Sequence, residues 1–188
     1  MLLYIIKSIR IFIILSLILG ILYPLIIIFI GQLAMKDKAN GSLIIIDDKI
    51  RGSKLIGQEF KNPKYFYSRP SAVNHDAANS GASNLGPSNK QLFADVKKRI
   101  AQIRLENNLD PDHLIPADMA LQSASGLDPH ISIENALLQV PRISKIRAIP
   151  EKTISDLIEN NKVSFINSTN EGYINVLMIN ISLDNNNF

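Results

Sequence analysis

Residues 11–33 read IFIILSLILGILYPLIIIFIGQL, and no charged side chain occurs among them. As a helix at 1.5 Å per residue this stretch would be about 34 Å long, which matches a hydrocarbon core about 30 Å thick. Basic residues flank it, with Lys7 and Arg10 before it and Lys36 and Lys38 after it. We therefore predict a transmembrane helix over residues 11–33.

Two other interpretations of this stretch fit less well. A cleaved signal peptide has an apolar region of about 7–15 residues and a small-residue cleavage site, whereas this run is longer and LAM at 33–35 is a poor site. A core helix of a soluble protein would be broken by Pro24, which a membrane helix tolerates. Gly20 and Pro24 lie one turn apart and permit close approach of another helix. A simple anchor and a packing helix remain equally open.

The orientation of the helix follows from charge and from the length of the flanking segments. A short N-terminus at 1–10 with two basic residues favours the cytoplasmic side, and long domains are translocated largely regardless of their charge. We predict that the N-terminus lies in the cytoplasm and that the soluble domain lies on the outer face of the membrane.

The rest of the chain is long enough for one ordinary domain. We expect a linker at 34–41, a folded domain at 42–184 and a frayed tail at 185–188. Within the domain, residues 42–46 and 50–52 form a hairpin around a turn at 47–49, and the Asn-, Pro-, Ser- and Gly-rich residues 61–90 form a long loop. The aromatic residues at 65–67 suggest that one end of this loop is docked.

Helical periodicity follows the long loop. A helix capped by Ser88, with Gln91 as its capping-box partner, should end near 107–108. Ser132 should cap a second helix over 133–147, which Pro141 kinks or splits, and Pro150 should open a third. The apolar residues 173–183 predict a central strand covered on both faces. The fold class is therefore a single N-terminal transmembrane α-helix plus one mixed α/β (α+β) soluble domain.

Composition excludes several classes of function. The net charge of +3 arises from 20 basic and 17 acidic residues, which is too weak and dispersed for nucleic-acid binding. The chain has no cysteine, so it has no disulfide, thiolate metal site or cysteine nucleophile. The zinc motif HExxH and the phosphate motifs GxxxxGK[ST] and GxGxxG do not occur. We expect no metal and no catalytic residue.

One loop nevertheless carries the residue types of a hydrolase. Ser125, Asp128 and His130 could supply a nucleophile, an orienting carboxylate and a base, which would make the chain a membrane-tethered hydrolase-like enzyme. Triad members normally converge from separate segments, and GxSxG is absent. The alternative is structural: Asp128 accepts backbone hydrogen bonds in a turn, and His130 orders the start of a helix.

Several segments together resemble one family. They are LIGQEF at 55–60, YFYSRPSA at 65–72, SGASNLGPSN at 80–89, SGLDPHIS at 125–132, QVPR at 139–142, and INVLMIN at 174–180 with LD at 183–184. In this order, behind one apolar helix, they resemble the C subunit of the potassium-transporting Kdp ATPase. Ala82 stands where the family usually has glycine, Lys90 follows the PSN stretch where proline is usual, and Ile133 stands where proline is common.

The resemblance implies a function without catalysis in this chain. It implies an accessory subunit of an ATP-driven, high-affinity potassium uptake complex, beside a channel-like potassium-binding subunit and a P-type subunit that hydrolyses ATP. Family members are described as catalytic chaperones that raise the apparent ATP affinity of the pump. No cofactor would be bound covalently, and ATP would be met only within the complex. Membrane lipid would be the other partner.

The resemblance also marks particular residues. It makes Gln139 a nucleotide candidate. The residues themselves add Ser80, Gly81, Ser83 and Asn84, whose run could present backbone amides to an anion, although such Ser- and Gly-rich runs are more often plain turns. Residues that belong to the family motifs or support the structure are Arg69, Pro70, Ser71, Ser125, Gly126, Leu127, Asp128, Pro129, His130, Arg142, Asn175 and Asn180.

Overall fold

The computed structural model describes residues 1–164 and 172–185. The chain divides into two compact units, Met1–Arg51 and Gly52–Phe188. Each unit is described by itself below.

The first unit consists mainly of one long apolar helix. Helix α1 (Leu2–Leu17) continues through a π-helical turn (Ile18–Leu22) into α2 (Tyr23–Ala34). The whole stretch of 33 residues is long and apolar enough to cross a membrane, and none of it is buried in the protein. It begins nine residues before the predicted span at 11–33. Its polar flank, Lys7 and Arg10, is therefore helical as well.

A short helix and the predicted hairpin follow. Helix α3 (Lys36–Ala39) precedes strands β1 (Leu43–Ile46) and β2 (Lys49–Ser53), which pair with each other. Asp47 and Asp48 form the two-residue turn with positive φ angles of 52° and 57°. Two central residues with positive φ are the signature of the hairpin turn whose twist matches that of the strands. The hairpin prediction is confirmed, but the turn has two residues instead of the three predicted at 47–49, because Lys49 already belongs to β2.

The second unit packs helices around a small antiparallel sheet. Its helices are α4 (Lys90–Glu106), α5 (Ala117–Ala120), α6 (Ile133–Arg147), α7 (Glu151–Asn161) and α8 (Val176–Asp184). Strands β3 (His130–Ser132), β4 (Val163–Ser164) and β5 (Gly172–Asn175) form a sheet in the order β3-β5-β4. Ile131 lies opposite Ile174 across the first pair, which fixes the register. An apolar membrane-type helix with a mixed α/β domain confirms the predicted fold class.

The core lies between this sheet and helices α6, α7 and α8. Its fully buried side chains come from the sheet, from each of these three helices and from the long loop: Phe66, Ile131, Ala136, Ile143, Ile154, Ile158, Ile174, Ile179 and Leu183. Most are β-branched, which suits both strand faces and a tightly packed helix interface. The contribution of Phe66 shows that the start of the long loop is docked, as predicted.

The helix boundaries confirm one of the predicted caps and differ from three of the other predictions. Ser88 does not cap α4, because Asn89 takes that position and accepts the backbone N–H of Gln91 at 2.8 Å. Ser132 caps α6 as predicted, accepting from the N–H of Asn135 at 3.1 Å. Pro141 does not split α6, which runs unbroken to Arg147. Pro150 immediately precedes α7 rather than lying in its first turn.

The predicted strand over 173–183 is wrong beyond residue 175. Strand β5 is central, as expected, but it stops at Asn175, and the remaining residues form α8. Asn175 is the N-cap of α8, since its side-chain oxygen accepts the N–H of Met178 at 3.1 Å. A continuous apolar run suits a buried helix as well as a buried strand, so periodicity did not separate the two. Residues 186–188 of the expected tail lie outside the described residues.

Candidate functional site

Two loops that carry family motifs, residues 69–81 and 123–130, are bound to each other; we call them the paired loops. The hydroxyl of Ser71 donates to the carbonyl of Gly126 at 2.7 Å, and the N–H of Gly81 donates to the carbonyl of Ser125 at 2.8 Å. The N–H of Ser123 donates to the carbonyl of Pro70 at 3.2 Å. Since these contacts are mostly to backbone atoms, they fix the course of both loops.

Gly126 lies where the paired loops are closest. Its φ of +68° is in the left-handed region, and a Cβ there would lie 2.6 Å from Val73 Cγ2 and 2.8 Å from the carbonyl oxygen of Gly81. Both facts require glycine. Gly57, outside these loops, donates its N–H to the carbonyl of Leu127 at 2.7 Å and extends the same cluster.

Asp128 forms an ion pair that links the paired loops. One of its oxygens accepts from Arg69 Nη1 at 2.8 Å, and the other accepts the N–H of His130 at 3.0 Å, with His130 Nδ1 at 3.5 Å. Burial raises the pKa of Asp128, but the hydrogen bonds from His130 and Arg69 outweigh burial, so this pKa lies below its ordinary value. Asp128 is thus held as an anion that joins the two loops.

The hydrolase-like residues do not form a relay. The hydroxyl oxygen of Ser125 accepts the N–H of Leu127 at 3.1 Å, and no hydrogen bond joins Ser125 to His130 in the part of the chain that the structure describes. The ring of His130 instead meets the ring of Tyr173 edge-on, with centroids 4.6 Å apart. Pro129 accepts the N–H of Val176, so the loop also leads into the start of α8. Of the structural alternative stated for this loop, the hydrogen bond from the backbone N–H of His130 to Asp128 is present, whereas the ring of His130 contacts strand β5 and not the start of a helix.

The predicted nucleotide candidates lie in different surroundings. Ser80 and Gly81 both bond to the carbonyl of Ser125, whereas Ser83 and Asn84 are exposed. Gln139 is fully buried in α6. Its side-chain oxygen accepts the N–H of Tyr67 at 2.8 Å and Arg142 Nη2 at 2.7 Å. Nucleotide contact by these residues stays a prediction.

Helix α6 carries a buried polar row, made of Asn135, Gln139 and Arg142. Gln139 donates to Asn135 at 2.8 Å, so the row is continuous along one helix face. Arg142 donates to Asn107 at 3.0 Å and to the carbonyls of Pro63 and Tyr65. Burial lowers the pKa of Arg142, although Arg142 stays charged far above neutral pH.

The polar row ties down the start of the long loop. The Arg142 guanidinium stacks over the Tyr67 ring at 4.2 Å, and burial raises the pKa of Tyr67 against the opposing effect of that charge. On the other side of Phe66, Asn180 of α8 accepts the N–H of Phe66 at 2.8 Å and donates to its carbonyl at 3.0 Å. Side chains of two helices, α6 and α8, thus form hydrogen bonds with the backbone groups of residues 63–67. Gln139, Arg142 and Asn180 therefore have a structural role.

Sequence reasoning missed Asp118 and Asn107. Asp118 accepts from the hydroxyl and N–H of Ser132 and from the Asn135 amide, at 2.8–3.0 Å. Asn107, buried at the end of α4, accepts from Arg142. Neither has a local motif, because their partners are 14–35 residues away. Asn175 was singled out, and in addition to capping α8 it donates to the carbonyl of Lys54 at 2.8 Å.

A cleft of about 510 Å³ lies beside these elements. Basic and acidic side chains share its wall, among them Arg69, Arg99 and His75 on one hand and Glu59 and Glu106 on the other. Gln139 borders it from a fully buried position, but Ser80, Gly81, Ser83 and Asn84 are not among the described residues that line it. A wall of mixed charge suits a polar protein segment better than a free polyanion.

The architecture and the bonded loops define a class: a protein with one helix long and apolar enough to span a membrane, followed by a folded unit that uses its motif residues to hold its own loops. The family model described as "KdpC: K+-transporting ATPase, c chain" matches residues 5–185. Because that match covers both the apolar helix and the soluble unit, the chain belongs to the KdpC family.

Individual relatives agree with this assignment. A "Potassium-transporting ATPase KdpC subunit" of Mycobacterium tuberculosis (strain ATCC 25618 / H37Rv) is 45% identical over 168 residues, covering 88% of this chain and 89% of the relative. Proteins of the same description from Koribacter versatilis (strain Ellin345) and Bradyrhizobium diazoefficiens are 41% and 40% identical, and each alignment covers 93–95% of both chains. The resemblance found from the motifs is thereby confirmed.

Proposed function

We propose that the chain is a non-catalytic accessory subunit of an ATP-driven potassium uptake complex. The observation that carries this proposal is the family match over residues 5–185, which includes the anchor and the soluble unit together. Its partners would be the channel-like, potassium-binding subunit and the P-type subunit that hydrolyses ATP. We propose a bacterial inner-membrane location, with the N-terminus inside and the soluble unit on the outer face.

The bonding of the motif residues supports a role without catalysis. Asp128 is engaged by Arg69 and His130, and the Ser125 oxygen is engaged by a backbone N–H. A nucleophile and base need to be hydrogen-bonded to each other and accessible to a substrate. These residues are instead used to hold the paired loops, so we assign them a structural role in presenting a stiff surface to the larger subunits.

We propose that any contribution to ATP use arises within the complex. Gln139 is fully buried, and its oxygen is taken by Tyr67 and Arg142, so nucleotide binding there would require that network to open. On the outer face ATP is absent. The chain would therefore act on the pump through assembly or through coupling to transport. Full-length chain in detergent, titrated with an ATP analogue, should show no saturable binding.

Complementation tests the function directly. A strain lacking this chain should fail to grow at micromolar external potassium, and the wild-type chain should restore growth. His130→Ala and Ser125→Ala variants should restore growth wherever they accumulate normally in the membrane. If either accumulates and assembles normally but cannot support growth, the hydrolase alternative gains and the non-catalytic role fails.

Labelling of a single cysteine tests the orientation. The chain has no cysteine of its own, so Asp112→Cys, at an exposed loop position, introduces a unique thiol. A membrane-impermeant maleimide should label it in intact spheroplasts. Labelling seen only after the membrane is permeabilised would place the soluble unit inside and contradict the proposed topology.

A further inference from the structure

The apolar helix contains a turn that is wider than an α-helical turn. Residues Ile18–Leu22 are π-helical, and the N–H of Tyr23 donates to the carbonyl of Ile18, five residues back. Pro24 follows at the start of α2. Single π-turns inside α-helices are rare and often lie at functional sites.

The π-helical turn changes which backbone N–H groups and carbonyls are paired with each other. In an α-helix the Leu19 carbonyl would accept from the N–H of Tyr23, but that N–H is given to Ile18. The Gly20 carbonyl would accept from residue 24, but Pro24 has no N–H. Two successive carbonyls, those of Leu19 and Gly20, therefore lose their α-helical donors.

In the interior of a membrane, the loss of these hydrogen bonds is energetically costly. A carbonyl without a donor in the hydrocarbon core costs several kcal/mol, because no water is available there. Gly20 lies in the middle of the helix, nine residues after Ile11 and thirteen before Leu33. A Cβ placed on Gly20 would meet nothing within 4 Å, so the backbone is open to an approaching group.

We propose that this turn is the docking site for one transmembrane helix of a partner subunit, which carries a side-chain donor such as Ser, Thr, Asn or Gln at the same depth. The donor bonds the carbonyls of Leu19 and Gly20, and the absent side chain of Gly20 allows the two backbones to approach. The proposal rests on the proposed function, since it assumes that the chain is assembled with larger membrane subunits.

A second copy of this chain fits the turn less well. A symmetric pair of parallel helices brings the same residues together, so the open carbonyls of one helix would face those of the other. Such a contact pairs acceptors with acceptors and satisfies neither. A helix of different sequence can place a donor at this level.

Co-purification gives the first test. Gly20→Leu fills the open space, and we expect it to lower the yield of partner subunits with a tagged chain at least about tenfold, which corresponds to about 1.4 kcal/mol. Gly31→Leu is the matched control: Gly31 lies on nearly the same helix face, three turns away, and away from the π-turn. Equal losses for the two variants, with equal membrane levels, would reduce the site to general packing and overturn the proposal.

A spectroscopic measurement reads the carbonyl itself. Gly20–Ile21 is the chain's only Gly–Ile pair, so ¹³C-carbonyl glycine with ¹⁵N-isoleucine isolates the Gly20 carbonyl in solid-state NMR. Its ¹³C signal should move to higher frequency, the direction of hydrogen bonding, when the full chain in bilayers is assembled with its partners. In Pro24→Ala, which returns an N–H to the helix, the signal should already lie there without partners.

Other results of the NMR and co-purification experiments would lead to different conclusions. A hydrogen-bonded signal in the chain alone that depends on the chain-to-lipid ratio would assign the site to a second copy. One that does not depend on this ratio would assign it to water or to the chain's own side chains. Either result overturns the proposal while leaving the proposed function intact. Failure of the wild-type chain to co-purify with any partner would refute the proposed function instead.

Discussion

Replacement of Gly126 by alanine tests whether the paired loops hold the soluble unit together. The left-handed backbone at φ +68° costs an alanine about 1–2 kcal/mol. The new Cβ would also lie 2.8 Å from the Gly81 carbonyl oxygen and 2.6 Å from Val73 Cγ2. Relief of such overlap typically costs about 1–3 kcal/mol. We therefore expect Gly126→Ala to lower the free energy of unfolding by about 2–5 kcal/mol.

Urea denaturation of the full chain in detergent, followed by tyrosine fluorescence, measures this change. Gly86→Ala is the control, because Gly86 is an exposed loop glycine at which a Cβ meets nothing within 4 Å. It should change stability by less than about 0.5 kcal/mol. Equal effects of the two substitutions would refute the reasoning, because the close approach at Gly126 would then carry no energy.

Three further substitutions test single interactions. Asp128→Asn should cost about 1–3 kcal/mol at neutral pH by urea denaturation. The pKa of Asp128 is lower in the folded chain than in the unfolded chain, where it is near 3.9. The stabilisation by its carboxylate is therefore fully present above about pH 3.9 and is lost as the pH falls through the folded pKa. The Asp128→Asn variant should lack this dependence on acid. Gln139→Leu should cost about 2–4 kcal/mol by the same assay, since Tyr67 and Arg142 lose a buried acceptor; an unchanged midpoint would contradict the structural role. His130→Ala should leave co-purification with the partner subunits within about twofold, because His130 is half-exposed and Arg69 still holds Asp128; loss of the complex would give this ring a direct role in assembly.

Local signals predicted the elements whose cause is local. The apolar stretch, the hairpin and the Ser132 cap each depend on neighbours within a few residues, and each prediction is confirmed, although the turn of the hairpin has two residues and not the three predicted at 47–49. The strand prediction over 173–183 failed because apolar β-branched residues satisfy a buried helix equally well. The N-cap at Asn175 was the local signal that could have marked the change from strand to helix.

The candidate site was predictable in its members but not in its arrangement. The motif residues Arg69, Gly126 and Asp128 were chosen through family resemblance, and the structure brings them together across more than 50 residues of chain. The buried polar row on α6 also spans long separations, since Gln139 bonds Tyr67 from 72 residues away. No spacing rule in one sequence encodes such contacts, because they follow from how the elements pack.

Purification of a tagged full-length chain from its native membrane tests the central claim most directly. The account predicts that the chain keeps its apolar helix and co-purifies in a fixed ratio with a channel-like subunit and an ATP-hydrolysing subunit, and that the complex hydrolyses ATP in response to potassium. A chain recovered alone from the membrane in mild detergent, or recovered in soluble form without residues 1–34, would contradict it.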